Sequence, residues 1–295
     1  MVQLSTTMNL ESLVSAWPNI DGNIAASSLK QVDRSTYPEL DRYSQEEIYR
    51  DIQGEGGLFL ASDMARELQL RPRMNVLDLA CGTGETSVFL ARNYGVNAFA
   101  VDKLLDESRL SNRATSEGVG HLVTPKKLDA RDLNFPDGFF DAVFCMNAYF
   151  YFGTDDLYLP YLLGRVRDAG RICIASPCYR EEISPVTPEE FLMEFPDCLA
   201  VHSPTWWRSH FEKTRGVDIL RCELHSRSRE FWEDFVRIQI EMSEPRMMSP
   251  SKATSILGFL KFLKLDTRGY VSHLFLLAAK KAGVRFGASL DWYSG

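Results

Sequence analysis

Val76-Leu77-Asp78-Leu79-Ala80-Cys81-Gly82-Thr83-Gly84, answered by Val101-Asp102, is the stretch whose reading decides the fold. An apolar strand, Asn75 to Ala80, enters a glycine turn. Thr86 to Asn93 has the make-up of a helix, and a second strand, Asn97 to Val101, ends on a carboxylate. Glycines let a ligand reach bare backbone, and a carboxylate about 20 residues further on can take both hydroxyls of a ribose. The unit therefore reads as strand, turn, helix and strand built around an adenosine.

Working outward, His121 to Leu128, Asp141 to Met146 and Arg171 to Ala175 read as third, fourth and fifth strands. The segments between them are long enough for crossover helices, which predicts a doubly wound, mostly parallel α/β sheet. Val217 to Leu224 and Tyr270 to Ala279 complete seven strands, with a helix expected from Arg229 to Met242. Upstream, Leu58 to Leu68 has helical spacing and stops at Arg71-Pro72-Arg73. The alternation lapses after Ser176-Pro177, where Pro185, Pro188, Pro196, Pro204 and the Trp206-Trp207 pair suggest an inserted substrate lid over 178–215. Residues 1–55 read as an N-terminal helical cap, with Asn9 to Trp17 a short amphipathic helix, and all of 1–295 as one domain.

Composition narrows the classes. At 295 residues and 45% hydrophobic the chain can bury a substantial core. A formal charge of −7 argues against a surface that tracks nucleic acid, which needs clustered Lys and Arg. No secretory signal or apolar run of about 20 residues is expected, so neither is a membrane partner. The 6 cysteines lack CxxC pairing and read as small buried residues of a reducing, cytoplasmic protein. Homo-oligomerisation is left open.

The ligand can be narrowed further. Dinucleotide enzymes place G-x-G-x-x-G under a pyrophosphate. Here Ser87 stands at the third glycine position, and Glu85 puts negative charge where the pyrophosphate would sit. Asp78, four residues before Gly82, is placed to meet an ammonium group. An adenosine carrying an amino acid and a sulfonium fits these residues better than NAD.

These residues resemble the first motif of class I S-adenosylmethionine-dependent methyltransferases, and the similarity continues along the chain. Asp102 is similar to the family's ribose carboxylate. Asp129-Ala130, ahead of Arg131-Asp132-Leu133-Asn134-Phe135-Pro136, resembles the segment that clasps the adenine. Phe139-Phe140-Asp141-Ala142-Val143 and Gly170-Arg171-Ile172-Cys173-Ile174 resemble the fourth and fifth motifs. Gly56-Gly57-Leu58-Phe59-Leu60, Tyr151-Phe152-Gly153-Thr154-Asp155-Asp156 and His202-Ser203-Pro204-Thr205-Trp206-Trp207 resemble a small-molecule subgroup related to ubiquinone-type C-methyltransferases. The resemblance implies a Rossmann-like fold, S-adenosyl-L-methionine as cofactor, and Tyr49, Asp78, Cys81, Gly82, Gly84, Asp102, Lys103, Asp129, Ala130 and Asn147 as cofactor-binding positions.

Relatives often carry a histidine base just after the fourth strand, where this chain has Asn147-Ala148-Tyr149-Phe150-Tyr151. C- or N-methylation is therefore expected at least as readily as O-methylation. Tyr149, Tyr151 and His202 are the candidate catalytic groups, each with a packing role as the alternative. Trp206 and Trp207 are candidates for stacking on an apolar or aromatic acceptor, as in specialised metabolism. The acceptor is expected between the carboxyl ends of strands one and four, the N-terminal segment and the lid. No metal site is expected, since the histidines are dispersed and Asp155-Asp156 reads as a helix start. Rival readings are olefin C-methylation coupled to cyclisation of a terpenoid-like substrate, an NAD-dependent oxidoreductase, and a non-catalytic module that binds an adenosine ligand.

Overall fold

Five apolar segments pair side by side in one direction, and the chain then turns back through the sheet. The computed structural model describes residues 35–44, 47–48, 54–184, 200–241, 266 and 269–286. Strands β1 (Asn75–Leu79), β2 (Asn97–Val101), β3 (Val123–Lys126), β4 (Phe140–Met146) and β5 (Val166–Tyr179) are mutually parallel. Strand β7 (Val271–Lys280) lies between β5 and β6 (Val217–Leu224), antiparallel to both. The order is β3-β2-β1-β4-β5-β7-β6. Strand order reverses between β1 and β4, and a doubly wound sheet opens its ligand crevice at the carboxyl ends beside that reversal.

Among the described residues, six helices flank the sheet: α1 (Gly57–Leu68), α2 (Glu85–Tyr94), α3 (Glu107–Ser116), α4 (Tyr158–Arg165), α5 (Pro204–Glu212) and α6 (Ser228–Glu241). Local chemistry fixes their ends. Asp106 caps α3 by accepting from Arg109 N at 2.9 Å, and α2 stops at Gly95, whose φ of +64° admits the left-handed turn. Side chains alternate across β1, so Leu77 and Leu79 enter one apolar layer and Val76 the other. The first layer is rich in aromatics from the β4–α4 connection and α5; the second is built on α1 and α2.

The expected strands are present with shifted ends. Strand β5 is the largest departure, starting at Val166 and running to Tyr179 because β7 pairs with it as far as Val271↔Tyr179. Residues 178 and 179 therefore belong to the sheet, not to a lid. Residues 204–212 form α5, started by Ser203 and Pro204 and packed on β6. Residues 185–199 of the expected lid, and 1–34, 45–46 and 49–53 of the expected cap, lie outside the described residues. No helix among the described residues is long and apolar enough to cross a membrane.

Candidate active site

The glycine turn after β1 is shaped by three left-handed residues: Ala80 (φ +58°), Gly82 (φ +59°) and Gly84 (φ +83°). Backbone bonds tie it down, with Cys81 N donating to Val101 O and Gly84 N to Cys81 O. Gly82 N donates to Asp102 Oδ2 at 3.1 Å. The other carboxylate oxygen, Oδ1, accepts from Leu104 N at 2.7 Å. Asp102 is thus held from two sides by backbone, while each oxygen keeps a lone pair for a further donor. Gly84 has a different task. A Cβ there would overlap the Leu110 side chain, so the residue lets α2 pack on α3 and does not line the cleft.

An open cleft of about 200 Å³ lies at the carboxyl ends of β1 and β4. Asp78, Cys81, Gly82 and Asn147 line it, together with Gly54, Gly57, Leu58, Thr83, Thr86 and Met146, among others. Asp78 is buried, and its Oδ2 accepts from the hydroxyls of Thr86 (2.6 Å) and Ser87 (2.5 Å). Burial pushes the Asp78 carboxyl up to about 6, against the pull of those two hydroxyls. Burial likewise raises the Cys81 thiol, which is no thiolate nucleophile.

Asn147 ends β4 with φ +55°. Its backbone N–H donates to Ala175 O (2.7 Å) and its Nδ2 to Glu55 O (2.8 Å). The amide's Oδ1 is buried with no hydrogen-bond partner. A Cβ on Gly54 would come within 2.5 Å of that side chain, so the glycine is required for the close approach. An orphaned acceptor and a carboxylate in one cleft suit a ligand that brings N–H or ammonium donors. The residues fit the adenosine–amino acid–sulfonium ligand expected from the sequence.

Several expected residues fall elsewhere. Lys103 is exposed, and beside it Leu104 projects into solvent with 81% exposure. Asp129 Oδ1 accepts from Arg131 N at 2.9 Å, and Ala130 O accepts from the Tyr158 hydroxyl; neither residue lines the cleft. Tyr49 lies outside the described residues. Glu85 lines the cleft but is ion-paired with Arg113, so the negative charge invoked against a pyrophosphate is largely compensated.

None of the proposed catalytic groups is brought to the cleft. Tyr149 is fully buried, its ring packed on Phe152, Tyr158, Trp207 and Phe211, and burial holds its phenol well above the usual range. Tyr151 turns outward from the short helix Tyr149–Tyr151, with 56% exposure. His202 Nδ1 lies 3.1 Å from Glu182 Oε2, and the ring stacks on Trp206 at 3.8 Å. Trp206 is sandwiched between His202 and His210, while Trp207 is buried in the aromatic layer. Ser203 and Pro204 start α5, which lies on β6 with Trp207 on its buried face.

The sequence reading missed a buried trio near the cleft. His273 on β7 pairs its Nδ1 with Ser228 Oγ at 2.9 Å and points Nε2 towards Glu55 Oε2 at 3.8 Å. A histidine interrupting an apolar strand was the available signal. Among the described residues no group of three or more His, Cys, Asp or Glu could hold a metal ion.

Comparison with known proteins agrees with this geometry. Residues 76–168 match a family model described as a methyltransferase domain. The chain is 23% identical over 223 residues to a chloroplastic tocopherol O-methyltransferase of Arabidopsis thaliana, covering 72% of this chain and 61% of that protein. It is 32% identical over 112 residues to a probable fatty acid methyltransferase of Pseudomonas putida, covering 37% and 28%. The chain thus spans less than two thirds of the curated relatives' own length. In fold it is similar to phosphoethanolamine N-methyltransferase 2 of Haemonchus contortus, solved with S-adenosyl-L-methionine, with TM-score 0.67, 18% identity and coverage of 83% and 60%. It is also similar to the [4+2]-cyclase SpnF, with TM-score 0.63, 20% identity and coverage of 76% and 80%.

Proposed function

The chain carries a class I S-adenosylmethionine-dependent methyltransferase domain, and on that premise we propose that it methylates a small metabolite with an apolar or aromatic body. The observation that carries the reading is one cleft in which the glycine turn, the Asp78 carboxylate and the orphaned Asn147 Oδ1 converge. When bound, S-adenosylmethionine supplies a methyl carbon made electrophilic by its sulfonium. The chain's part is to hold, orient and dry the site.

Asp102, fixed by Gly82 N and Leu104 N, takes the ribose hydroxyls on its remaining lone pairs. Leu104, in solvent beside that carboxylate, gives the adenine an apolar face. Asp78 and Asn147 Oδ1 meet the amino-acid end. Ile48, Leu58 and Met146 keep water from the reacting centre. Asp129 and Ala130 hold the loop beyond β3 near the adenine side and contribute through its shape.

An apolar body for the acceptor is supported twice. An apolar crevice lined by Phe59, Phe231, Phe235 and Ile238 shares Gly57 with the cleft. Tocopherol, a fatty acid and a sterol also stand in the names of three relatives.

The test is to denature the purified protein, run mass spectrometry on the released small molecules, and titrate the native protein with S-adenosylhomocysteine. Release of S-adenosylmethionine or its demethylated product, or micromolar binding, is the expected result. Binding of NADH with none of S-adenosylhomocysteine would overturn the reading.

A further inference from the structure

Methyl transfer to a hydroxyl or amine needs a group to receive a proton, and the cleft itself offers little. Among the described residues lining it, Asp78 is engaged by two hydroxyls and Glu85 by Arg113. Tyr149 is sealed in the aromatic layer, and His202 sits on Glu182. The position after β4 holds Asn147 instead of a base.

Another part of the sheet brings ionisable groups to the same edge. His273 is opposite Pro177 in the β5–β7 register, two residues beyond Ala175, whose carbonyl holds Asn147 N. His273 is entirely buried, with Trp232 at 5.6 Å and Phe231 at 6.1 Å between ring centroids. Ser228 Oγ fixes Nδ1, and Nε2 is buried without a hydrogen-bond partner, 3.8 Å from Glu55 Oε2. Glu55 is itself 5% exposed. Its side chain lines neither cavity, but its neighbours Gly54 and Gly57 line the cleft, Gly56 and Gly57 line the crevice, and its carbonyl holds Asn147 Nδ2.

A gap of 3.8 Å is too long for a direct hydrogen bond and too short to hold a water between the two atoms. Burying a carboxylate and an imidazole among aromatic rings without closing that bond is costly, and such costs concentrate at functional sites. When the Ser228 hydroxyl donates to Nδ1, the ring proton sits on Nε2 and its N–H dipole faces the Glu55 carboxylate across that gap.

We propose that Glu55 and His273, backed by Ser228, form the polar end of the acceptor site, and that the acceptor presents a hydroxyl or amine hydrogen on an otherwise apolar body. This inference rests on the methyltransferase reading above and deepens it. In the step, the acceptor's O–H or N–H bond breaks and its proton goes to the Glu55 carboxylate. The electron pair left on that atom forms the new bond to carbon, and the group that carbon leaves keeps its own bonding pair. His273 is the positioning residue, facing Glu55 with its Nε2 edge across 3.8 Å; Ser228 sets the ring tautomer.

The test uses the full chain. Titration with S-adenosylhomocysteine comes first, and its failure would sink the methyltransferase reading itself. With that ligand bound, phenol and toluene, which share a shape but differ in the donor, are compared by ligand-observed NMR. Phenol is expected to bind about tenfold more tightly, and the preference to shrink in Glu55→Gln with S-adenosylhomocysteine affinity retained. Because His273 is buried, Ser228→Ala serves as the milder variant. Nitrogen-15 imidazole shifts should place the His273 proton on Nε2 in the parent protein and show mixed tautomers in Ser228→Ala. Equal binding of phenol and toluene, or binding of neither, would overturn the proposal. So would a phenol preference that survives Glu55→Gln but is lost in Asp234→Asn, since Asp234 also lines the crevice.

Discussion

Asp102 and Gly82, twenty residues apart, are joined by a 3.1 Å hydrogen bond from the N–H of the glycine, which lines the cleft, to the carboxylate that follows β2. The same carboxylate holds Leu104 N, so it shapes the turn and the loop together. Asp102→Ala removes both anchors and, on the proposed reading, the ribose contact. S-adenosylhomocysteine affinity should fall by more than about tenfold, on the order of 1.4 kcal/mol or greater, as read by calorimetry. Asp102→Asn keeps one carbonyl acceptor and should lose less. Unchanged binding in the alanine variant would remove Asp102 from the site.

Asp78 gives stability a pH signature. Its carboxyl is raised from 3.8 to about 6 in the folded chain, chiefly by burial. Between those values the folded protein binds more protons than the unfolded one, so unfolding free energy falls as pH rises through that window. Above about pH 6 the full penalty for the buried charge is present. Asp78→Asn keeps an acceptor for Thr86 and Ser87 and escapes the penalty. Its unfolding free energy should therefore gain on the parent's from pH 4 to pH 7, by an amount on the order of a few kcal/mol at most, with its melting temperature rising accordingly. Parallel melting curves across that range would show that Asp78 carries no such burden. Ligand binding should move in the opposite sense, because an ammonium group prefers the ionised carboxyl. S-adenosylhomocysteine affinity should weaken below about pH 6 in the parent and lose that dependence in Asp78→Asn.

The parts of this site that were legible in the sequence are those made within one strand–turn–helix–strand unit. Asp78, Gly82 and Asp102 are fixed relative to one another by a single crossover, so their spacing carries their geometry. Tyr149 and Tyr151 stand away from the cleft for a local reason. Tyr149 and Tyr151 alternate only if the backbone is extended, and here it closes into a short 3-10 helix that sends one ring into the core and the other into solvent. Glu55, Ser228 and His273 were illegible for a topological reason. They meet only because β7 inserts between β5 and β6 and carries His273 to the ligand edge. Glu85 was misjudged because its partner Arg113 comes from the next helix.

Tyr149 and Trp207 separate packing from catalysis. Their rings lie 5.6 Å apart in the aromatic layer, and the Tyr149 hydroxyl is buried with no hydrogen-bond partner. Deleting an unsatisfied hydroxyl relieves a desolvation cost, so Tyr149→Phe should be neutral or stabilising by about 1 kcal/mol. It should also leave S-adenosylhomocysteine binding and turnover intact. Trp207→Ala opens a large cavity in the same layer and should cost about 3–5 kcal/mol in urea unfolding. A Tyr149→Phe variant that unfolds normally but turns over slowly would return the phenol to the reaction.

Gly84 tests whether the second glycine of the turn serves the ligand or the fold. Its φ is +83°, and a Cβ there would run into the Leu110 side chain on α3. Two costs therefore add in Gly84→Ala: the left-handed backbone, about 1 kcal/mol, and overpacking, about 1–3 kcal/mol. Leu110 can relieve only the second. The double variant Gly84→Ala with Leu110→Ala should be more stable than the sum of the two single losses, by about 1–2 kcal/mol of coupling in denaturant unfolding. Ligand affinity measured well below the melting temperature should change little in either glycine variant, because Gly84 does not line the cleft. Strict additivity would show that the turn relaxes around the new methyl. A large loss of affinity with stability preserved would mean that the glycine touches the ligand after all.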